Sequence, residues 1–143
     1  MNEEHFRKLE RMYDAAPVND HYDPELTVRE GEAELVTPVD ESHFHALGGV
    51  HGSVYFKVLD DAAFFAASSL VEDVSVLTTE FNIYLERPVS EGEIRAVGEV
   101  VNDNPRQLIA EAVAWDGEGN EIARGSGTFQ RSSIELTPEV GYE

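Results

Sequence analysis

The chain has 143 residues, 41% hydrophobic and 27% charged, which suits one globular domain burying roughly two thirds of its unfolded surface and leaves no apolar run near the ~20 residues of a membrane span. It contains no cysteine, which excludes disulfides, thiolate metal sites and a cysteine nucleophile. Its 29 acidic against 10 basic residues give a formal net charge of −19, which argues against nucleic acid as a partner, because that affinity rests on basic patches that neutralise phosphates.

In residues 3–15 the apolar positions Phe6, Leu9, Met12 and Tyr13 recur three or four apart. They predict a short amphipathic N-terminal helix lying on the main body, with no role beyond packing. The same segment mixes acids with bases and has no apolar core, so it does not read as a signal peptide, and the protein is expected in the cytoplasm. From Glu25 to Val39 two alternating pieces, LTVRE and AELVTPV, flank a turn signal at Glu30 and Gly31 and predict an opening hairpin.

A loop, ESHFHALGGVHG, leads into the most apolar stretch, Ser53 to Val71, where Lys57, Asp60, Asp61 and Ser68 interrupt an otherwise apolar surface. At 19 residues it is too long for a strand, and its polar exceptions fall near helical spacing, so it is expected to be a helix buried on most sides. Beyond it, Leu77, Thr79, Phe81, Ile83 and Leu85 alternate with Thr78, Glu80, Asn82 and Tyr84, the period of a strand, which Pro88 ends. Ile94 to Val101, Leu108 to Trp115 and Ile122 to Gln130 follow as strands, the last two joined by the hairpin signal DGEGN, and the tail from Arg131 reads as irregular. The order predicts an α+β chain, one antiparallel β-sheet wrapped around one long central helix. Residues 1–143 then form a single domain, with the core at about 25–131 and an irregular tail at 132–143. Uncovered edges of such a sheet invite a second subunit.

The turn Gly48-Gly49-Val50-His51-Gly52 stands just before the helix, where unpaired amides and the positive end of the helix dipole gather. Glycines there also serve simply as a turn, but the Gly52 amide could hold a carbonyl oxygen as negative charge develops on it. Asp60 and Asp61 are adjacent carboxylates in a segment that otherwise avoids charge. Lys57 stands three and four residues before them. A helical ion pair with Asp61 accounts for one carboxylate; the other needs a partner or a task. A carboxylate can attack a thioester or activate a water, and the residues leave both open. His43, His45 and His51 with Asp40 raise the question of a metal, but their spacing matches no zinc signature and no metal is expected. Ser53 lacks the G-x-S-x-G pattern of a nucleophile elbow and is expected to cap the helix.

The stretches GGVHGSVYFKVLDDAAFFAA, VLTTEFNIYLERPVSEGEIRAVGEVV and EIARGSGTF, in that order, resemble the PaaI-like and 4-hydroxybenzoyl-coenzyme A branch of the hotdog-fold thioesterases, over roughly residues 25–131. The resemblance implies a hotdog fold and hydrolysis of an acyl-coenzyme A thioester to free acid and coenzyme A, with no further cofactor. It selects Asp60, nine residues after His51, as the catalytic acid, and assigns the polarising amide to Gly52. His45 stands where relatives carry Asn or Gln, so its charge brings a dependence on pH near neutrality. Ser53 replaces the family's second glycine, Phe64 falls where some members have a water-positioning Thr, and Thr78 matches a Ser or Thr that assists the water. The resemblance also implies a homodimer or tetramer whose active sites lie across the subunit interface.

Coenzyme A is an anion, so a chain this acidic needs local basic groups to receive it, and Arg87 and Arg106, at strand ends, are the candidates. Phe56, Phe64 and Phe65 could line an aromatic acyl pocket or simply fill the core. Two rival readings keep the fold: an enoyl-coenzyme A hydratase or dehydratase, from the spacing of Asp40 and His45, and a non-catalytic acyl-coenzyme A-binding protein. The acidic surface either serves solubility or marks adaptation to high salt, where a short Debye length screens its self-repulsion.

Overall fold

Asn2 opens the first helix, α1 (Glu3–Ala15), by accepting the amides of Glu4 and His5 on its side chain. The computed structural model describes residues 2–143. Phe6, Leu9 and Tyr13 are buried on α1, as the spacing predicts; Met12, the fourth expected position, is only half-buried, and His5 joins the buried stripe instead. The strands are β1 (Glu25–Arg29), β2 (Glu32–Pro38), β3 (Val74–Leu85), β4 (Glu93–Asp103), β5 (Leu108–Trp115) and β6 (Glu121–Glu135). They form one antiparallel sheet in the order β1-β2-β4-β5-β6-β3. β1 and β3 are therefore the two edges. The edges differ: Arg7 of α1 donates to the Val28 carbonyl at 2.7 Å and the Val28 amide donates to Glu10 at 2.8 Å, so α1 occupies backbone groups that β1 would otherwise present.

The long helix α2 (Gly52–Ser68) lies across the inner face of the sheet, the hotdog arrangement. Its own Ala62, Ala63, Ala66 and Ala67 are fully buried. Small side chains bring helix and sheet close: a Cβ on Gly98 of β4 would collide with the backbone of Ala62. The helix ends three residues earlier than the apolar run, because the buried Ser69 hydroxyl donates to the Ala66 carbonyl at 2.6 Å and accepts the Gly31 amide at 2.7 Å. No helix among the described residues is long and apolar enough to cross a membrane.

Two expectations are corrected. β6 does not stop near Gln130 but runs to Glu135, since the start of β3 supplies its pairing partners, Val74 opposite Glu135 and Val76 opposite Arg131; a short turn at Pro138–Val140 follows. The tail's polar residues carry no strand pattern, and only the distant partner makes them a strand. β3 does not keep one face from Leu77 to Leu85. Thr78 opposes Phe129 and Glu80 opposes Thr128, so Thr79 is an inserted residue, its hydroxyl donating to the Thr128 carbonyl at 3.1 Å. The bulge reverses the alternation: Val76 and Thr78 point inward before it and Phe81 and Ile83 after it, while Leu77 is 48% exposed.

Candidate active site

Asp60 lies on α2 facing β3, half-buried, and the Thr78 hydroxyl donates to its Oδ1 at 2.8 Å. Phe56 and Phe64 stand one helical turn to either side of it, on the same face. Phe56 meets Phe81 edge-on at 5.7 Å, and Phe64 and Phe81 approach Phe129, the cross-strand partner of Thr78, at 6.2 and 6.4 Å. Phe81 fits because Gly127 lies opposite, where any Cβ would strike its ring. Burial among these rings pushes the Asp60 carboxyl up to about 6; the Thr78 hydrogen bond pulls it down, the Asp61 charge pushes it up and Lys57 pulls it down. Asp60 is thus poised to exchange a proton close to neutrality, the range in which a general base is most effective.

Asp61, one residue on, turns to the opposite flank of α2. Lys57 pairs with its Oδ2 at 2.6 Å, the ion pair expected from the spacing, and the Tyr13 hydroxyl donates to the same oxygen at 2.6 Å. Tyr13 and Asn19 were not anticipated. The available signal was a tyrosine on the buried stripe of α1, whose hydroxyl must find a partner.

At the start of α2 the helix is capped by His51 rather than by Ser53: His51 Nδ1 accepts the Ser53 amide at 3.0 Å, and the Ser53 hydroxyl lies 2.9 Å from the same nitrogen. The Gly52 amide has no acceptor among the described residues. His45 Nδ1 accepts the Leu47 amide at 3.0 Å, so the neutral ring carries its proton on Nε2 and can donate there. His45, Gly52, Tyr55, Leu85 and Arg87 line an open cavity of about 320 Å³. The Tyr55 hydroxyl donates to the Arg87 carbonyl at 2.8 Å and anchors the loop that carries this arginine.

The remaining candidates separate. His43 lies 2.6 Å from the His21 carbonyl and stacks on Tyr22 at 4.5 Å, so the three imidazoles hold different partners, and no cluster of three metal-binding side chains occurs among the described residues. Asp40 caps the short turn at Glu41–His43 by accepting the Ser42 amide at 2.8 Å. Phe65 is buried against Tyr13, a core residue, whereas Phe64 is half-buried beside Asp60. Arg106 sits on the turn between β4 and β5. Among the described residues seven of the ten basic side chains pair with a side-chain carboxylate; Arg87, Arg106 and Arg11 do not, and of these Arg11 donates to an oxygen of Glu143. In so acidic a chain an unpaired arginine is conspicuous. Asp60 and Gly52 are eight residues apart on one helix, about 12 Å at the usual rise, so a single chain does not bring the acid and the amide together.

The family model described as the thioesterase superfamily matches residues 47–123, from the glycine turn into β6. A candidate esterase of Saccharolobus solfataricus is 30% identical over 84 residues, a match that covers 58% of this chain and only 56% of that protein. A thioesterase family protein of Silicibacter pomeroyi has a structure that superposes with a TM-score of 0.77 at 29% identity, covering 86% of this chain and 96% of its own. The PaaI protein from the phenylacetic acid degradation operon of E. coli superposes with a TM-score of 0.83 over 94% of this chain and 97% of its own; at 16% identity the shared property is the fold.

Proposed function

Because this chain belongs to the thioesterase superfamily, we propose that it hydrolyses an acyl-coenzyme A thioester, with Asp60 at the reacting centre and the site completed by a second copy of the chain. The observation that carries the reading is the Asp60 carboxylate itself, half-buried among aromatic rings, held by Thr78 and raised to about 6. A carboxylate costs free energy in such surroundings, and a catalytic task accounts for its retention there.

The second copy supplies what one chain lacks. β3 is a twelve-residue edge strand with Leu77, Tyr84 and Leu85 exposed, while α1 already occupies the other edge. Pairing two β3 edges continues the sheet and lets Gly52 of one copy approach Asp60 of the other. In this arrangement Asp60 takes a proton from a water as the water oxygen bonds to the thioester carbon. The resulting oxyanion accepts the Gly52 amide, placed at a helix N-terminus where the dipole favours negative charge. Collapse breaks the carbon–sulfur bond, and the leaving thiolate takes the proton from Asp60. Direct attack by Asp60 instead breaks the carbon–sulfur bond, expels the thiolate and leaves a mixed anhydride; water then opens it at the Asp60 carbonyl, which restores the carboxylate, releases the free acid and protonates the thiolate. His45 Nε2–H and Arg87, both on the Gly52 cavity, would orient the carbonyl and receive the anionic end of coenzyme A.

The test is release of free thiol from a panel of aromatic and medium-chain acyl-coenzyme A thioesters, wild type against Asp60→Asn. Loss of at least ~100-fold in the variant is the result expected for a general base. A wild type that cleaves no member overturns the proposal and leaves hydration or binding of the same ligands to be measured. One turnover in oxygen-18 water separates the two routes, since only direct attack leaves the label in the Asp60 side chain.

A further inference from the structure

Lys57 is a largely buried cation on the central helix, its side chain 15% exposed, and the reaction as described makes no use of it. A buried ammonium is tolerated only with partners, and its partners come from an unexpected quarter. Besides Asp61 at 2.6 Å, Lys57 Nζ donates to Asn19 Oδ1 at 2.8 Å and to the Tyr13 hydroxyl at 3.2 Å, and it lies 5.1 and 4.9 Å from the ring centres of Tyr13 and Tyr22. Asn19 in turn donates to the Tyr13 carbonyl at 2.7 Å. Residues 13 to 22, the end of α1 and the turn after it, therefore close over the Lys57–Asp61 pair. The apolar spacing of residues 3–15 predicts no role beyond packing for the part of this segment that belongs to α1.

The pair sits against the reacting carboxylate. Successive helical residues diverge by about 100°, so Asp60 points toward β3 and Asp61 toward α1, yet their carboxylates belong to neighbouring residues and repel. The groups that face Asp60 are Thr78 from β3, Lys57 and Asp61 from α2, and Tyr13 from α1. Tyr13 stays neutral, because burial, then the charge and hydrogen bond of Asp61, hold its hydroxyl far above its ordinary value. Lys57 is thus the cation that offsets two adjacent acids, and Asp61 takes it at 2.6 Å.

We propose that Lys57 and Asp61 are positioning residues for Asp60: clasped by Tyr13 and Asn19, they form a closed, charge-balanced pair that leaves the neighbouring carboxylate to Thr78 and to substrate. The proposal rests on Asp60 being the reacting acid and assigns the N-terminal segment to the construction of the active site.

The experiment is a pH titration of the Asp60 carboxyl carbon by NMR in protein carrying carbon-13 aspartate, assigned with Asp60→Asn, for wild type, Asp61→Asn, Lys57→Met, Lys57→Arg and the double variant Lys57→Met with Asp61→Asn. Asp61→Asn leaves a cation beside Asp60 and moves its midpoint down by about one pH unit; Lys57→Met leaves an anion and moves it up by a similar amount. Lys57→Arg, which keeps the charge, and the double variant, which removes both charges, stay near wild type. Midpoints that do not move, or that move the same way in both single variants, overturn the proposal. If Lys57→Met does not fold, Asp61→Asn against Lys57→Arg still decides, since only the former lowers the midpoint. The titration needs no turnover, so a protein that cleaves no thioester sinks the functional reading without touching this result.

Discussion

Thr78 on β3 donates a 2.8 Å hydrogen bond to Asp60 on α2, and that bond ties the sheet's open edge to the helix that bears the acid. The bond stabilises the ionised carboxylate and opposes the effect of burial. Thr78→Val removes it without changing shape, so the acid limb of kcat/KM, expected near pH 6 in the wild type, moves to higher pH. Thr78→Ser restores it. A limb unchanged in Thr78→Val would show that Asp60 does not set the profile.

Asp60 also leaves a signature in stability. Its carboxyl rises from 3.8 in the free chain to about 6 in the folded one, so between those values the folded state holds the proton and the unfolded state has lost it. Stability falls as pH rises through that window, and the penalty is complete above it. Asp60→Asn escapes the penalty. Urea unfolding should show the variant more stable than wild type by about 1 kcal/mol at pH 8, a figure reduced by the solvent that reaches the half-buried group, with no advantage at pH 4.

Among the described residues Arg87 makes no ion pair with a carboxylate, and it lines the Gly52 cavity. Arg87→Gln should raise KM for coenzyme A thioesters about tenfold at low salt, the effect of losing one favourable charge contact, and leave KM unchanged for short thioesters without the nucleotide. Equal effects on both substrates would place Arg87 outside the coenzyme A site.

Leu77 and Leu85 are 48% and 56% exposed on the edge strand. Replacing both by Asp puts like charges on a paired edge, which opposes association. Light scattering should find a monomer, with activity down about 100-fold as the Gly52 amide of a second copy is lost. A fully active monomer would refute the shared site.

The net charge of −19 gives the last prediction. Molar potassium chloride shortens the Debye length to about 3 Å and screens the mutual repulsion of the acids, so the melting temperature should rise by several degrees. No rise would assign the acidic surface to solubility.

What could be read in advance was whatever a local pattern encodes. The spacing of Phe6, Leu9 and Tyr13 marks α1 at its observed bounds, the alternation on either side of Gly31 marks the first hairpin, and the length of the apolar run marks α2 to within a turn. Each depends on residues a few positions apart, and so does the Lys57–Asp61 pair, set by helical spacing alone. The selection of Asp60 over Asp61 came from the resemblance to a family; the residues themselves allowed either.

Long-range partners settled everything else. The bulge at Thr79 depends on the register of β3 against β6, and β6 reaches Glu135 only because Val74 is there to pair with it. The helix cap is the local exception, since His51 rather than Ser53 makes it through a contact only two residues long. The clasp of Tyr13 and Asn19 on Lys57 joins residues 44 and 38 positions apart, a distance over which no sequence period operates. A buried charge creates demand for partners, but only the folded chain decides which residues arrive to meet it.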